Sequence, residues 1–310
     1  MNLEAETRKG YTISTEMKKL WAVEMELLNI LLDVCNKHNL RIWADGGTLL
    51  GAVREHGYIP WDDDIDMAML REDYDKLISV SQVEFTAPYH FQSGYTEDSY
   101  PMGHAQLRKD GTTAIQKGKE FFKYHQGIFI DIFVYDIVPD DINELNSLEK
   151  SLAVMRSNLV RFCRDRYLFY HPFYSLKLFL FKLPIAITGY GQYFKKFDSL
   201  LKGHKGNDVA CMGFIWDLEH FRRNLSLYGD TLFVPFEDIM IPIPSGYDTI
   251  LRTQYGDYMK PVIAPSYHKG FVYLDTEKSY KDYLPIIYKR AKEKEYRYLI
   301  KKIKKIFGLN

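Results

Sequence analysis

The spacing of apolar positions along the chain predicts an α+β protein. Residues 15–38 carry apolar side chains at intervals of three and four, which predicts one long amphipathic helix. Residues 41–44 and 65–70 have the length and composition of short strands, and the apolar run 127–135 predicts a longer one. Beyond about residue 140 the pattern becomes mainly helical.

These elements predict a mixed-sheet core over about residues 40–140, with helical additions before it at 1–39 and after it at 141–310. The sequence contains neither repeats nor a low-complexity linker. We therefore expect all 310 residues to form one integrated unit with a helical C-terminal extension.

Composition and targeting signals exclude several classes of protein. The 41 basic residues equal the 41 acidic ones, so net charge gives no reason to expect nucleic-acid binding. The cysteines Cys35, Cys163 and Cys211 have neither metal-site nor disulfide spacing. The N-terminus lacks the apolar segment of a signal peptide, and lysines and a proline interrupt the apolar stretch 176–190. We expect a cytoplasmic protein.

The most unusual stretch is WADGGTLLGAVREHGYIPWDDDIDMAM, residues 43–69. A turn at residues 45–48 leads into a short predicted helix, and four carboxylates then occupy five positions, 62–66. Alternate residues of a strand share a face, so Asp64 and Asp66 are predicted to point the same way. Two such carboxylates repel each other unless a cation lies between them.

A third acid, Asp131, stands alone in the apolar run GIFIDIFVY, where burial would be costly without a partner. If that strand lies beside the strand predicted to carry Asp64 and Asp66, three carboxylates meet there. Carboxylate oxygens suit Mg²⁺ or Mn²⁺. Backbone N–H groups at the turn Gly46-Gly47-Thr48 can bind a phosphate that the metal holds from its other side. We predict a metal site at Asp64, Asp66 and Asp131.

Each of these features alone has a simpler explanation. An acidic run is commonly a solvated loop, a glycine pair is commonly a plain turn, and Asp131 can be a buried acid hydrogen-bonded to backbone. An EF-hand loop is excluded because its central glycine and closing glutamate are missing at the required offsets. The features in combination favour the metal site.

The same residues resemble a known family. The segments DGGTLLGAVREHGYIPWDDDID, GIFIDIF and YGDYM are similar to the LicD family of cholinephosphotransferases, which includes the fukutin-like proteins. The similarity is dense over residues 41–70, patchy to residue 136, and returns at 246–268. The family commonly has proline where this chain has Val134, and paired histidines where it has Tyr267-His268.

The resemblance implies a nucleotidyltransferase-type fold and transfer of a phospho-alcohol from a CDP-alcohol onto a sugar hydroxyl. For bacterial members it implies phosphocholine from CDP-choline, placed on a lipid-linked precursor of teichoic acid or lipopolysaccharide. It places metal ligands at Asp64 and Asp66, and a third acid at Asp131, which we expect to bind metal and to orient or deprotonate the acceptor. Arg54 is expected to neutralise phosphate oxygens, or else to pair with a neighbouring acid such as Glu55.

The remaining substrate candidates are aromatic residues and one histidine. A quaternary ammonium such as choline is best held by aromatic faces, although most aromatic side chains of such a chain belong to the core. The candidates that flank the motifs are Trp43, Tyr58, Trp61, Tyr255 and Tyr258. His268, in the C-terminal motif, is the histidine that the resemblance suggests.

Two other functions fit part of the pattern. A glycosyltransferase with an Asp-x-Asp motif also places a metal on a diphosphate, but it leaves the glycine turn unexplained. A catalytically inactive nucleotide- or sugar-binding module has no need of three converging acids. The products of a reaction with a CDP-alcohol separate these alternatives.

The end of the chain predicts a peripheral membrane contact on the inner face of the membrane. In RYLIKKIKKIFGLN one helical stripe is apolar, and it consists of Leu299, Ile300, Ile303, Ile306 and Phe307. The other side carries Lys301, Lys302, Lys304 and Lys305. A basic amphipathic helix of this kind lies on an anionic bilayer surface. The alternative, packing on the core with the lysines in water, is favoured for a second aromatic-rich segment, residues 173–187.

Overall fold

The computed structural model describes residues 1–164, 180, 182–211, 218–262 and 270–306. The helices named below are α1 (Thr15–Lys37), α2 (Gly46–Arg54), α3 (Arg71–Glu84), α4 (Ile142–Cys163), α5 (Tyr190–Ser199), α6 (Leu218–Phe221), α7 (Tyr247–Tyr255) and α8 (Tyr280–Ile306). The strands are β1 (Glu6–Arg8), β2 (Tyr11–Ile13), β3 (Trp43–Ala44), β4 (Asp66–Leu70), β5 (Tyr89–Gln92), β6 (Ala105–Lys109), β7 (Thr113–Gln116), β8 (Phe129–Val138), β9 (Asp208–Cys211), β10 (Arg223–Asn224), β11 (Thr231–Phe236), β12 (Ile239–Pro244) and β13 (Phe271–Asp275).

Strand β8 is the centre of a seven-stranded mixed sheet. Its sequence, FIDIFVYDIV, is apolar on both faces, which is typical of a strand covered on both sides. One edge of β8 pairs in parallel with β4, which in turn pairs antiparallel with β3. The other edge pairs antiparallel with β6 along its first half and with β9 along its second half. β5 and β10 extend the sheet beyond β6 and β9.

Three apolar clusters hold the helices to this sheet. The largest contains the inner face of α1, β3, β4 and most of β8. A second cluster joins α4 and α5 to the far end of β8 through residues such as Leu145, Leu152 and Phe197. A small third cluster of Ile115, Tyr280 and Ile287 attaches the start of α8 to β7. Each packed helix is stabilised by roughly 25 cal/mol for every Å² of apolar surface that the packing removes from water.

The α+β class predicted from the sequence is confirmed, as are its main elements. Helix α1 occupies all but the last residue of the predicted range 15–38, and β8 lies within three residues of the predicted run 127–135. All three cysteines are free and buried, as their spacing indicates. No helix in the described part of the chain combines the length and the apolar character needed to cross a bilayer.

The flanking regions 1–39 and 141–310, predicted as helical additions, contain short strands as well as helices. Before residue 40, β1 and β2 form a hairpin, and after residue 141 the chain contributes β9 and β10 to the main sheet. β11 and β12 form another hairpin, and β13 pairs with β7. These strands have only two to six residues each, and β9 and β13 pair with strands distant in the chain, so the local apolar pattern carries little sign of them.

Candidate active site

Asp66 and Asp131 are direct neighbours across two parallel strands. The register of β4 and β8 pairs Asp66 with Asp131, and the N–H of Asp131 donates to the carbonyl of Ile65 at 2.9 Å. Register partners on adjacent strands present their side chains to the same face of the sheet. The structure therefore brings together two of the three predicted metal ligands, which lie 65 residues apart in the chain.

Asp64 lies outside this ladder, because β4 begins at Asp66 rather than at the predicted Ile65. The alternation argument that paired Asp64 with Asp66 therefore does not apply, and the preceding loop sets the direction of Asp64. Within the described residues, one group of three acids has oxygen atoms within 4.8 Å of one another, and it is Asp62, Asp63 and Asp64. The metal site at Asp64, Asp66 and Asp131 stays a prediction. The loop acids Asp62 and Asp63 lie close to Asp64.

The glycine turn touches the acids directly. Helix α2 begins at Gly46, whose φ of +52° is the left-handed conformation that favours glycine. A Cβ atom at Gly46 would lie 3.0 Å from Oδ2 of Asp66, and one at Gly47 would lie 2.5 Å from Oδ2 of Asp62. The hydroxyl of Thr48 accepts a hydrogen bond from the N–H of Asp66 at 2.8 Å. The turn and the acids thus form one surface that has no room for larger side chains.

The helix N-terminus also points its dipole toward this surface. Asp45 is the residue that caps α2, yet its carboxylate makes no capping hydrogen bond. Instead Arg223 Nη1 donates to Oδ1 at 2.7 Å, and the hydroxyl of Tyr135 donates to Oδ2 at 2.8 Å. The N–H groups of the first turn of a helix favour anions, so this arrangement suits a phosphate.

Asp131 is held by side chains of β6 and of the loop before it. Gln106 Nε2 donates to Oδ1 at 2.7 Å, and His104 Nε2 lies 3.1 Å from the same oxygen. Burial alone would raise the pKa of Asp131, but the hydrogen bond and charge of His104, with Gln106, outweigh burial and hold the pKa below its ordinary value. One alternative for Asp131 was a buried acid hydrogen-bonded to backbone. Asp131 is indeed buried, but the partners of its carboxylate are side chains.

Sequence reasoning missed Asp45, Arg223, His104 and Gln106. For the last two a signal exists: in GHAQLRKD the polar residues at 104, 106 and 108 alternate with apolar ones, as on a strand with one polar face. For Arg223 no local signal exists, because it lies 178 residues from Asp45.

Arg54 lies away from the glycine turn, at the other end of α2. The helix has nine residues, so eight rises of about 1.5 Å separate its two ends by about 12 Å along the axis. Arg54 Nε donates to Glu55 Oε1 at 2.7 Å and Nη1 donates to the carbonyl of Tyr258 at 2.8 Å, with 5% of the side chain exposed. This geometry favours the pairing with Glu55 over the predicted phosphate contact.

The aromatic candidates divide into core and rim. Trp43, Tyr58 and Tyr258 are buried, whereas Tyr255 is 40% exposed and Trp61 is half-buried. Burial raises the pKa of Tyr255, and the carboxylates of Asp45, Asp66 and Asp62 raise it further, which puts this ring beside the acids. Trp61 directly precedes Asp62 and packs edge-on against Tyr11. His268 lies outside the described residues.

The donor set fits a hard divalent cation. Asp62, Asp63, Asp64, Asp66 and Asp131 supply carboxylate oxygens, the ligands that Mg²⁺ and Mn²⁺ prefer. The contact of Asp62 and Asp66 with the glycine turn would place a phosphate bound there next to such a cation.

Comparison with known proteins gives the same region a family. A family model described as "LicD/FKTN/FKRP, nucleotidyltransferase domain" matches residues 39–146, which contain the acids, the glycine turn and Gln106. The lipopolysaccharide cholinephosphotransferase LicD of Haemophilus influenzae is 30% identical over 260 residues, covering 79% of this chain and 93% of that protein.

Shorter stretches resemble other proteins. An uncharacterised protein of Rickettsia typhi is 44% identical over 147 residues, which is 46% of this chain and 42% of the relative. The human ribitol 5-phosphate transferase FKRP is 40% identical over 48 residues, which is 16% of this chain and 10% of that protein. Because the Haemophilus relative is matched over nearly its whole length, this chain belongs to the LicD family.

Proposed function

We propose that this protein is a metal-dependent transferase that moves phosphocholine from CDP-choline to a sugar hydroxyl of a cell-surface glycan precursor, in lipopolysaccharide or teichoic acid. The observation that carries the proposal is the pairing of Asp66 with Asp131 beside the N-terminus of α2. The Haemophilus relative is a lipopolysaccharide cholinephosphotransferase, which supports phosphocholine as the transferred group and lipopolysaccharide as the class of acceptor.

In this proposal the N-terminus of α2 binds the diphosphate of the donor. The N–H groups of Gly46, Gly47 and Thr48 open the helix, and its dipole favours the negative charge. The absence of a Cβ at both glycines lets the carboxylates of Asp66 and Asp62 lie against the turn, so a cation that they hold would adjoin a phosphate bound there. Tyr255 and Trp61 stand at the rim, where their faces suit a quaternary ammonium or a cytosine ring.

Asp64 and Asp66, with Asp131, would hold Mg²⁺ or Mn²⁺. When bound, such an ion supplies Lewis-acid stabilisation of the charge that develops on the departing CMP. Asp66 keeps its position because its N–H is bound by Thr48 and its strand is paired on both sides. The neighbouring Asp62 and Asp63 add negative charge that strengthens the attraction for a divalent cation.

Asp131 would orient the acceptor hydroxyl toward the phosphorus atom. Its lowered pKa keeps it ionised at neutral pH, so that it accepts a hydrogen bond from the hydroxyl throughout the working range. A carboxylate with a low pKa is a weak base, and this favours the orienting role over early proton removal. The proton would pass to Asp131 late, as the new oxygen–phosphorus bond forms.

The similarity to ribitol 5-phosphate transferase favours a second candidate donor, a CDP-polyol. That similarity is confined to 48 residues, so it supports phospho-alcohol transfer in general more than ribitol in particular.

The experiment that tests the function is mass spectrometry of products after incubation with Mg²⁺, a panel of CDP-alcohols and lipid-linked glycans. The proposal expects CMP together with an acceptor that has gained phosphocholine. Release of a nucleoside diphosphate with transfer of a sugar would identify a glycosyltransferase. Absence of turnover with every donor and acceptor would favour a binding module.

We further propose that α8 holds the enzyme against an anionic membrane surface, where a lipid-linked acceptor resides. Beyond Lys292 the described side chains of α8 are exposed apart from Leu299, which is half-buried. Between Tyr296 and Ile306 the helix has five basic residues and no acidic one. Its exposed apolar side chains include Tyr296, Ile300 and Ile303, at 59%, 37% and 43%. An exposed apolar stripe opposite lysines is typical of an interfacial helix.

Co-sedimentation with anionic liposomes tests this contact for the full chain and for a version that ends at Tyr296. A second variant with glutamine at Lys301, Lys302, Lys304 and Lys305 keeps the apolar stripe. Each lysine near the surface contributes about 1 kcal/mol, or about fivefold in affinity. Equal binding by all three proteins, or no binding of the full chain at low salt, would contradict the proposal.

A further inference from the structure

A buried arginine, Arg108, is the centre of a hydrogen-bonded chain that ends at Asp131. Arg108 lies on β6 and is 3% exposed. Its Nη2 donates to Gln106 Oε1 at 2.6 Å, its Nε donates to Gln92 Oε1 at 2.7 Å, and its Nη1 donates to the carbonyl of Gly127 at 2.6 Å. Its guanidinium also lies 4.5 Å from the centre of the Phe129 ring. The group is therefore fixed on all sides.

The chemistry of arginine sets the direction of this chain. A guanidinium has donors and no acceptor, so the amide atom of Gln106 that faces it must be the carbonyl oxygen. The amide nitrogen then points the opposite way, where it lies 2.7 Å from Oδ1 of Asp131. The orientation of a glutamine amide is usually a choice between two similar fits. Here Arg108 imposes it, and Oδ1 of Asp131 always meets a donor.

The second donor on Asp131 reaches the same oxygen. His104 Nε2 is 3.1 Å from Oδ1, so Gln106 and His104 both bind Oδ1. Among the described residues no hydrogen bond reaches Oδ2. Both contacts with the carboxylate of Asp131 therefore fall on Oδ1 and come from the β6 side of β8. Asp66 lies on the opposite edge of β8, in β4.

We infer that Gln106, oriented by Arg108, is a positioning residue that fixes Oδ1 of Asp131 and thereby turns Oδ2 toward the ligands of the site. These ligands, a divalent cation and the acceptor hydroxyl, rest on the proposed function. Partners that orient a metal-binding carboxylate in this way typically change metal affinity or activity by about 10–100-fold when they are removed.

Gln92 offers a matched control for this role. Both glutamines are buried, at 3% and 0% exposure, and both accept a hydrogen bond from Arg108. Gln92 differs in that its amide nitrogen donates to Glu97 and to the carbonyl of His125 rather than to Asp131. Substitution of either glutamine disturbs the buried hydrogen bonds around Arg108. Of the two, only substitution of Gln106 removes a hydrogen bond to Asp131.

The test compares Gln106→Met with Gln92→Met in the full chain. We expect kcat to fall about 10–100-fold for Gln106→Met, with less than a threefold change in the donor KM, and to stay within about threefold of wild type for Gln92→Met. Gln106→Glu serves as a second variant that keeps the contact with Arg108 and so guards against misfolding. It places an acceptor against Oδ1, and a similar loss in kcat is expected. Equal kcat values for Gln106→Met and Gln92→Met would overturn the inference.

Binding of Mn²⁺, followed by electron paramagnetic resonance, provides a readout that does not depend on turnover. If the wild-type protein binds Mn²⁺ but transfers no phospho-alcohol, the proposed function fails and the positioning role is still decided. An affinity at least tenfold weaker for Gln106→Met than for Gln92→Met supports the role. Equal affinities, or a wild-type protein that binds no Mn²⁺, overturn it.

Discussion

Two buried carboxylates, Asp45 at the N-terminus of α2 and Asp131 on β8, are each tied to a buried arginine, but in different ways. Arg223 contacts Asp45 directly, and with Tyr135 it occupies both oxygens of the carboxylate. Arg108 reaches Asp131 only through Gln106, and the described contacts fall on one oxygen. A direct pair neutralises its own charge. The relayed pair leaves Oδ2 of Asp131 without a hydrogen bond from the described residues.

On the proposed function, Asp45 is a structural acid and Asp131 a reactive one. Asp45 fixes the start of α2 and joins it to β8 and β10, whereas the described side-chain hydrogen bonds to Asp131 fall on Oδ1 alone. We therefore expect loss of the Asp45 carboxylate to lower stability and loss of the Asp131 carboxylate to lower activity.

Removal of the charge of Asp66, the register partner of Asp131, or of the nearby Asp64 gives the largest expected effect. Asp66→Asn, and likewise Asp64→Asn, is expected to abolish transfer and to weaken divalent-ion binding, because each removes a charged ligand without changing shape. Product formation and Mn²⁺ titration measure the two effects. Near wild-type activity in both variants would contradict the metal assignment.

Asp131→Asn is expected to lower kcat by about 10²–10⁴-fold while donor affinity changes much less. The reason is that the amide keeps the volume of the carboxylate but loses the charge that faces the acceptor. Steady-state kinetics with separate variation of donor and acceptor measures the split. A change in donor binding alone would reduce Asp131 to a structural or metal-holding residue and would remove the contrast with Asp45.

Asp45→Asn is expected to act on stability instead. Arg223 is left as an unpaired buried cation, and loss of one partner of such a pair typically costs about 3–5 kcal/mol. Urea denaturation measures the free energy of unfolding. The double variant Asp45→Asn with Arg223→Met is expected to be more stable than the single variant. If Asp45→Asn unfolded at wild-type urea concentrations, the direct pair would not be structural.

Arg54→Gln provides the smallest effect and a third case for the comparison. Arg54 pairs directly with Glu55, so we expect a loss of about 1–3 kcal/mol in stability and less than a threefold rise in the donor KM. Thermal unfolding and donor kinetics measure these values. A rise in the donor KM of tenfold or more would restore the phosphate-binding role predicted from the sequence.

The sequence predicted those parts of the site that depend on local pattern. The apolar runs gave β4 and β8, and the isolated acid in β8 was expected to matter because burial without a partner is costly. The glycine turn was recognised because its position before an acidic strand is uncommon. The pairing of Asp66 with Asp131 also requires these strands to be adjacent and in one particular register, which the structure shows.

The rest depends on pairings between distant segments, which leave little local trace. The contact of Asp45 with Arg223 joins residues 178 positions apart, and β10, which carries Arg223, has two residues. The direction of Asp64 depended on where β4 begins, a boundary that apolar patterning places only to within a few residues. The hydrogen bonds that run from Arg108 through Gln106 to Asp131 have a donor-to-acceptor direction. The sequence cannot give this direction, because it depends on which atoms face each other.

The double pairing of β8 also determines how the backbone exchanges its hydrogens with solvent. Because β8 is hydrogen-bonded to β4 on one edge and to β6 and β9 on the other, no local opening frees its amides without breaking the sheet. Deuterium uptake at Phe129–Val138 should therefore report global unfolding. The amides of α8 beyond Lys292 should exchange by fraying within a much shorter time. We therefore expect slow exchange along the strand that carries Asp131, so the placement of this carboxylate persists for as long as the sheet does.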